Sequence, residues 1–385
     1  MRNKRILLIG YKYPPDSGVG AIRIAKFAKY LPNKWDIHIL TTPLDARNYS
    51  KQTNVSVHEA PLIWPDASKE FDKVRWVPQL IRAIQTLHKK HNFDCIWQTA
   101  NPYFPLVAVP VVTRMIDTPF IIDLRDSWTL HPYNELSTPF GRLNSKISKV
   151  LEPQVISSAD AVTVATEGMY QAYANSYPDL IHKFELIENG YDSDDFPTMK
   201  TESWDEFTII YVGKFSNFRD PEPFFTALSK IQSSYDVSFV HVGNPEQKVE
   251  DIVEQLDISE YYMCTGYLDR EGVAQWIQRS DLGLAVSGGS PQEMTTKVFD
   301  YIACKTPILG CGPDGSMADV INRFEEGYMI QNNITEICTV LSDILEMKPQ
   351  SLGEGPYDDY TREKSANQLA ELINKLCSRS VSSCA

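Results

Sequence analysis

Cysteine is scarce and unpatterned in this 385-residue chain. Cys95, Cys264, Cys304, Cys311, Cys338, Cys377 and Cys384 form no CxxC pair and are odd in number. Neither a disulfide framework nor a zinc site is indicated, and a reducing cytoplasm is the expected location. Long hydrophobic runs are missing too. The basic start MRNKRILLIGYKYPP holds a four-residue apolar run, too short for a signal peptide. No segment approaches the ~18 uninterrupted apolar residues of a membrane helix. There is no overall basic excess, since 37 Lys and Arg face 50 Asp and Glu, and general nucleic-acid binding is disfavoured.

Hydrophobic residues at 43% and charged residues at 23% are values of a folded globular chain, and the length suits two α/β domains. The charge is uneven. Residues 1–190 carry 22 basic against 18 acidic side chains and residues 191–385 carry 15 against 32, which leaves room for an anionic ligand or surface facing the first half.

Short apolar runs alternate with helical patterns in the first half: RILLIG, DIHILTT, VSVHEA, CIWQTA, PFIIDL and AVTVAT. The second half repeats the style with FTIIYVG, VSFVHVG, YMCTGY, LGLAVS and PILGC. Strands that alternate with helices predict parallel, doubly wound sheets, hence two Rossmann-like domains facing across a cleft. The expected domains are 1–190 and 191–360, with a seam in the Gly, Pro and acid-rich stretch 186–206. A last helix, 361–385, is expected to cross back to the first domain, with 378–385 frayed.

Ligands of such sheets sit beyond the carboxyl ends of the strands, so residues just after strands carry most information. Gly18 and Gly20 precede a helix, where backbone amides can approach an anion. They come eight residues after the first strand ends at Gly10, too late for the dinucleotide fingerprint, which disfavours a nicotinamide enzyme. Asp123 near the end of PFIIDL and Arg125 and Asp126 just after it lie where a strand empties into a loop and are expected to point into the cleft or, equally, to form an internal pair that orders the loop. Gly213, Lys214 and Arg219 follow FTIIYV, and two cations beside a glycine suit a diphosphate leaving group. In TTKVFDYIAC, Thr296 is expected to cap a helix whose mouth, with Lys297, forms an anion seat, while Asp300 is placed to accept hydrogen bonds from sugar hydroxyls or simply to complement the helix dipole.

Two patterns invite other readings. Asp192-Ser193-Asp194 matches the DxD of metal-dependent sugar transferases but has no strand before it, and no metal is expected there. The basic, aromatic stretch 71–91, its helix expected to begin near Pro78, suits core packing with a solvated face or contact with anionic lipid at the inner face of a membrane.

Taken in order, PPDSGVGAIR, IIDLRDSW, IENGYDSDDF, YVGKFSNFRDPEPF, TTKVFDYIACKTPIL and YTREKSANQL resemble the retaining glycosyltransferases of the two-domain GT-B fold, family four. The resemblance covers nearly the whole chain. It implies a UDP-sugar or GDP-sugar donor on the second domain, an acceptor on the first, and no cofactor or metal. Lys214 and Arg219 would hold the diphosphate, Gly18, Gly20 and Gly213 would line it, and Thr296 and Lys297 would be the helix-mouth contacts. Tyr267 would lie near the base, and Arg23, Asp123 and Arg125 would meet the acceptor. Asp300 falls on the second position of the family's E-x7-E motif and Gln292 on the first, with Glu293 adjacent. Asp126 stands with Arg125 where the family has an active-site histidine. The implied function is transfer of a sugar to a saccharide or lipid-linked acceptor in surface polysaccharide assembly. A sugar-nucleotide epimerase on the same fold and a silent nucleotide-sugar-binding partner are the competing readings.

Overall fold

The computed structural model describes residues 3–16, 18–43, 54–62, 69–131, 139–197, 204–215 and 218–382, with backbone alone at 69–72, 139–140 and 380–382. The chain divides into two units, Met1–Glu188 with Arg362–Ala385, and Asn189–Thr361.

The first unit holds a seven-stranded sheet in the order β3-β2-β1-β4-β5-β6-β7. Its strands are β1 (Arg5–Ile9), β2 (Asp36–Thr41), β3 (Val55–Glu59), β4 (Cys95–Thr99), β5 (Phe120–Leu124), β6 (Ala161–Val164) and β7 (Phe184–Leu186). Every neighbouring pair is parallel. Helices therefore cover both faces, and β4 and β5 are buried along their whole length, the polar Gln98, Thr99 and Asp123 included.

The second unit carries six parallel strands in the order β10-β9-β8-β11-β12-β13. These are β8 (Phe207–Val212), β9 (Val237–Val242), β10 (Tyr262–Cys264), β11 (Leu282–Val286), β12 (Ile308–Cys311) and β13 (Gly327–Ile330). The chain reverses direction across the sheet between β1 and β4 and between β8 and β11. Those crossings open the crevices where this fold class takes its ligands.

The C-terminal helix Arg362–Ser382 lies in the first unit, where Leu369, Ile373 and Leu376 join Ile6, Ile24 and Phe27 in one core cluster. It continues to Ser382, past the expected fraying point. The helix that includes 71–91 also starts earlier than Pro78 suggests, running Lys69–His91. Burial explains this: Trp76, Leu80 and Ile84 are all inaccessible, so packing on both sides of Pro78 outweighs the lost backbone hydrogen bond. Among the described residues no helix is long and apolar enough to cross a membrane.

Candidate functional site

In the second unit the carboxyl ends of β8 and β11 diverge, and Tyr301 fills the split. Its hydroxyl donates toward the carbonyls of Leu284 (3.0 Å) and Ile210 (3.3 Å) and accepts from the Val212 amide (3.3 Å). The ring lies flat on Gly283, where an added Cβ would stand 2.6 Å from Cγ, so only glycine lets the helix Lys297–Cys304 approach this closely. That docking sets the position of Lys297, the first residue of the helix.

The Lys297 ammonium sits 5.1 Å from the centroid of the Tyr211 ring and beside Gly213, whose φ of +92° is glycine territory. A Cβ on Gly213 would come 3.1 Å from Lys297 Cε. Burial first, then the neighbouring Arg219 charge, pulls the Lys297 pKa from 10.5 down to about 8, against the opposing pull of Asp300, Glu293 and Glu246. Among the described residues Lys297 forms no ion pair. The turn below is braced by His241, whose Nε2 lies 2.6 Å from the Gly213 carbonyl and whose Nδ1 lies 3.0 Å from the Tyr262 hydroxyl. The carbonyl can only accept, so Nε2 carries the proton.

Arg219 donates Nη2 and Nε to Glu293 Oε1 at 2.5 and 2.9 Å, and Glu293 Oε2 accepts the Gly288 amide at 2.5 Å. One carboxylate thus ties the loop after β11 to the loop after β8, bringing two of the expected cations, Arg219 and Lys297, to one edge. The Lys214 side chain is exposed, and its carbonyl accepts the Tyr211 hydroxyl at 3.0 Å.

Thr296 does not cap the helix. Its backbone is already helical (φ −65°, ψ −15°) and its hydroxyl makes no capping bond, because a capping residue needs extended backbone to reach back to the first amides. Asp300 is 9% exposed and lies 3.4 Å from Arg270, which also faces Asp195 at 3.5 Å and the Phe196 ring at 4.9 Å. Tyr267 is 73% exposed in the loop after β10. Gln292 is half-buried, its backbone N–H donating to Ser290 Oγ at 3.2 Å. Asp192 is buried and its Oδ1 accepts the Asp194 amide at 3.0 Å, a local turn that accounts for the DxD pattern.

In the first unit the expectation for Arg23 and Asp123 is overturned. Both side chains are fully buried, and Asp123 accepts from Arg23 (2.8 and 3.1 Å), Thr99 (2.8 Å) and Thr163 (2.6 Å). Arg23 also donates to the carbonyls of Ile187 (2.9 Å) and Glu188 (3.3 Å). The pair pins the helix Val19–Tyr30 to β4, β5, β6 and the chain beyond β7, and neither member can reach an acceptor. Arg125 differs. It packs over Gly20, its Nε is buried without a hydrogen-bond partner, and Nη2 stands 3.8 Å from Asp126, which is half-exposed and accepts from Asn101 at 3.4 Å. Gly18 precedes the helix without a side-chain cap.

Tyr211, His241 and Arg270 escaped the sequence reading. The first two look like ordinary members of apolar strands, and Arg270 opens an ordinary amphipathic helix.

Two family models match the chain: a glycosyl transferase 4-like domain over residues 20–189 and glycosyl transferases group 1 over residues 206–347. A comparison with curated proteins by sequence gives no match. Among solved structures the chain is similar to sucrose-phosphate synthase from Thermosynechococcus elongatus, with 16% identity, 98% of this chain and 100% of that one covered, and a TM-score of 0.78. It is similar to Anabaena Alr3699/HepE, solved with UDP and glucose, with 14% identity, coverage of 97% and 100%, and a TM-score of 0.70. A putative UDP-N-acetylglucosamine 2-epimerase from Listeria monocytogenes also shares the fold, with 14% identity, 96% of each chain covered and a TM-score of 0.60. Likeness at such identity speaks for architecture alone, whereas the two models span both units. The chain belongs to the group 1 glycosyl transferases and has the GT-B architecture of two parallel-sheet α/β units.

Proposed function

We propose that this glycosyltransferase moves a hexose from a UDP-sugar or GDP-sugar to a saccharide or lipid-linked acceptor in surface polysaccharide assembly, with retention at the anomeric carbon and without a metal at the diphosphate. The observation that carries the reading is the Lys297 ammonium, largely buried, without an ion pair among the described residues, and close to a second cation, Arg219. Such a charge is held at a cost that an incoming diphosphate relieves.

In this reading the bond from the anomeric carbon to the diphosphate oxygen breaks, and Lys297 and Arg219 stabilise the charge that develops on the departing nucleotide. An acceptor hydroxyl attacks on the same face and passes its proton to the leaving diphosphate. Gly213 lets Lys297 come close, Thr296 and Lys214 border the seat, Asp300 faces the ribose, Tyr267 the base, and Gln292 with Glu293 the donor sugar. Arg125, Asp126, Gly18 and Gly20 serve the first unit's part of the reaction.

The deciding experiment offers UDP-sugars and GDP-sugars to the purified chain, with and without a mixture of oligosaccharide and polyprenyl-phosphate-linked acceptors. Nucleotide release should be slow alone and rise at least about tenfold with acceptor, as expected when water is excluded from the donor. Epimerised donor, or tight binding with no transfer to any acceptor, would defeat the proposal in favour of one of the competing readings.

Peripheral membrane contact belongs to the same proposal, and its support lies on a helix other than 69–91. On Pro139–Ser158, Leu143, Ile147 and Val150 are 56%, 41% and 61% exposed at helical spacing, between the exposed Arg142, Lys146 and Lys149. An apolar stripe bordered by cations is the pattern of a helix that lies in an anionic interface. Leu143→Asp with Ile147→Asp is expected to lower co-sedimentation with phosphatidylglycerol vesicles by about tenfold, and unchanged sedimentation would remove the contact from the proposal.

A further inference from the structure

Three histidines far apart in the sequence meet at the edge of the first sheet. His38 comes from β2, His58 from the edge strand β3, and His91 from the last turn of Lys69–His91. One ring nitrogen from each lies within 4.8 Å of the others. His38 Nδ1 and His58 Nε2 are 2.8 Å apart with their rings nearly coplanar, and the His38 and His91 ring centroids are separated by 4.2 Å. His38 is 2% exposed, and Nε2 of His91 is buried with no hydrogen-bond partner. A buried ring nitrogen left unpaired is costly.

We propose that His38, His58 and His91 bind one divalent transition-metal ion, Zn²⁺ being the natural occupant of a three-imidazole site with water in the fourth position. Zinc–nitrogen bonds of ~2.0–2.1 Å place tetrahedral nitrogens ~3.4 Å apart, so the most distant pair, at no more than 4.8 Å, has at most ~1.4 Å to close, while His38 Nδ1 and His58 Nε2, now 2.8 Å apart, have ~0.6 Å to open. Neutral imidazole is the ligating form.

The surroundings fit a coordinated ion. Asp36 Oδ2 stands 3.3 Å from His38 Nε2, off the line of a hydrogen bond at present. A carboxylate there would accept a hydrogen bond from Nε2–H once Nδ1 turns to the metal, the usual outer support of a ligating histidine. Two cations are near: Lys90, and Arg5, whose Nη1 donates to the His91 carbonyl at 2.8 Å and whose Nε lies 3.7 Å from Asp36. Arg5 is thereby held to oxygen acceptors. Phe93, 3% exposed, packs against His38 and His91 and closes one side of the cluster.

The location argues for a clip and against a catalytic centre. His58 lies on the edge strand β3, His38 beside it on β2, and His91 ends the helix that leads into β4, so the cluster sits at the outer edge of the sheet. Substrates of this fold class gather at the crevice where the strand order reverses, here between β1 and β4. An ion here would fasten the edge strand β3 and the helix end to β2.

The test is a Zn²⁺ titration of the full chain after treatment with chelator, read by competition with a chromogenic zinc indicator. One ion per chain is expected. His58→Gln and His91→Gln should each weaken it at least ~tenfold, while the exposed His182→Ala should leave it unaltered. Co²⁺ added to the unaltered chain should give the intense visible bands of a four-coordinate nitrogen site, which guards against a variant that merely folds poorly. Absence of saturable binding, binding that survives in the doubly substituted His58→Gln/His91→Gln chain, or only the weak bands of six-coordinate Co²⁺ would overturn the proposal.

Discussion

Lys297→Met is expected to make the unligated protein more stable while lowering kcat/KM for the donor by about 10²–10³, the usual effect of removing one preorganised charge from a transition state. The two effects share a cause. Bringing the Lys297 pKa from 10.5 to about 8 corresponds to roughly 3 kcal/mol of charge desolvation and repulsion borne by the folded state at neutral pH. Methionine fills similar space without the charge, and a gain of ~1–3 kcal/mol should remain after packing losses.

The pH dependence follows in sign. Because the folded pKa lies below the unfolded one, the unfolded chain binds more protons between about 8 and 10.5, and the parent protein gains stability as pH rises through that window. The advantage of the methionine variant is therefore largest below pH ~8 and fades toward ~10.5. Donor kcat/KM of the parent should fall as pH climbs past ~8, where the free enzyme loses the ammonium. Thermal unfolding and donor kinetics across this range check both halves. A variant that is no more stable, or that still binds UDP and GDP as the parent does, would end the assignment of Lys297 to the diphosphate.

The second large effect is expected at Asp123→Ala. It strands the Arg23 guanidinium in a fully buried place, and removal of one partner from a buried pair typically costs about 3–5 kcal/mol. Thr99 and Thr163 lose their acceptor at the same time. Arg23→Met combined with Asp123→Leu should recover part of this loss. Recovery stays incomplete because the carbonyls of Ile187 and Glu188 would still lack the donor that Arg23 supplies. Urea unfolding should show the first unit melting early, with the second unit's transition unmoved. At temperatures where the variant remains folded, the acceptor KM should match the parent. Parental stability with a raised acceptor KM would restore the role in acceptor contact that the structure denies to this pair.

The two sheets were largely legible in the sequence, and the exceptions are instructive. Mostly apolar runs such as ILLI in β1 and FII in β5 are readable because both faces of a central parallel strand must be buried. FEL and GYMI, which form β7 and β13, went unread. Both are sheet edges of three or four residues and only partly buried, so neither length nor hydrophobicity marks them. Pro78 misled for the complementary reason: local chemistry argues for a helix start, and the burial of Trp76 outweighs it.

For the site, the residue types after strands were informative but their partners were not. Gly213, Arg219 and Lys297 could be singled out by position, and the structure brings them to one edge. Asp123 could be singled out by the same argument, yet it faces inward as the penultimate residue of β5, where strand alternation and the Arg23 helix enclose it.

What the sequence by itself determined is the periodicity of apolar residues, the placement of glycines and charges at strand ends, and hence two parallel α/β units with cations at one edge. What only the tertiary structure decided is which charges are buried, which are paired and which stand beside a like charge. Asp123 becomes part of a buried pair, Lys297 an ammonium with a pKa near 8, and His38, His58 and His91 a single cluster. The reason is physical. Hydrophobic patterning acts over neighbouring residues and can be read along the chain. The free energy of a charge or an imidazole depends instead on desolvation and on groups within a few ångströms, and those groups are supplied by residues tens of positions away.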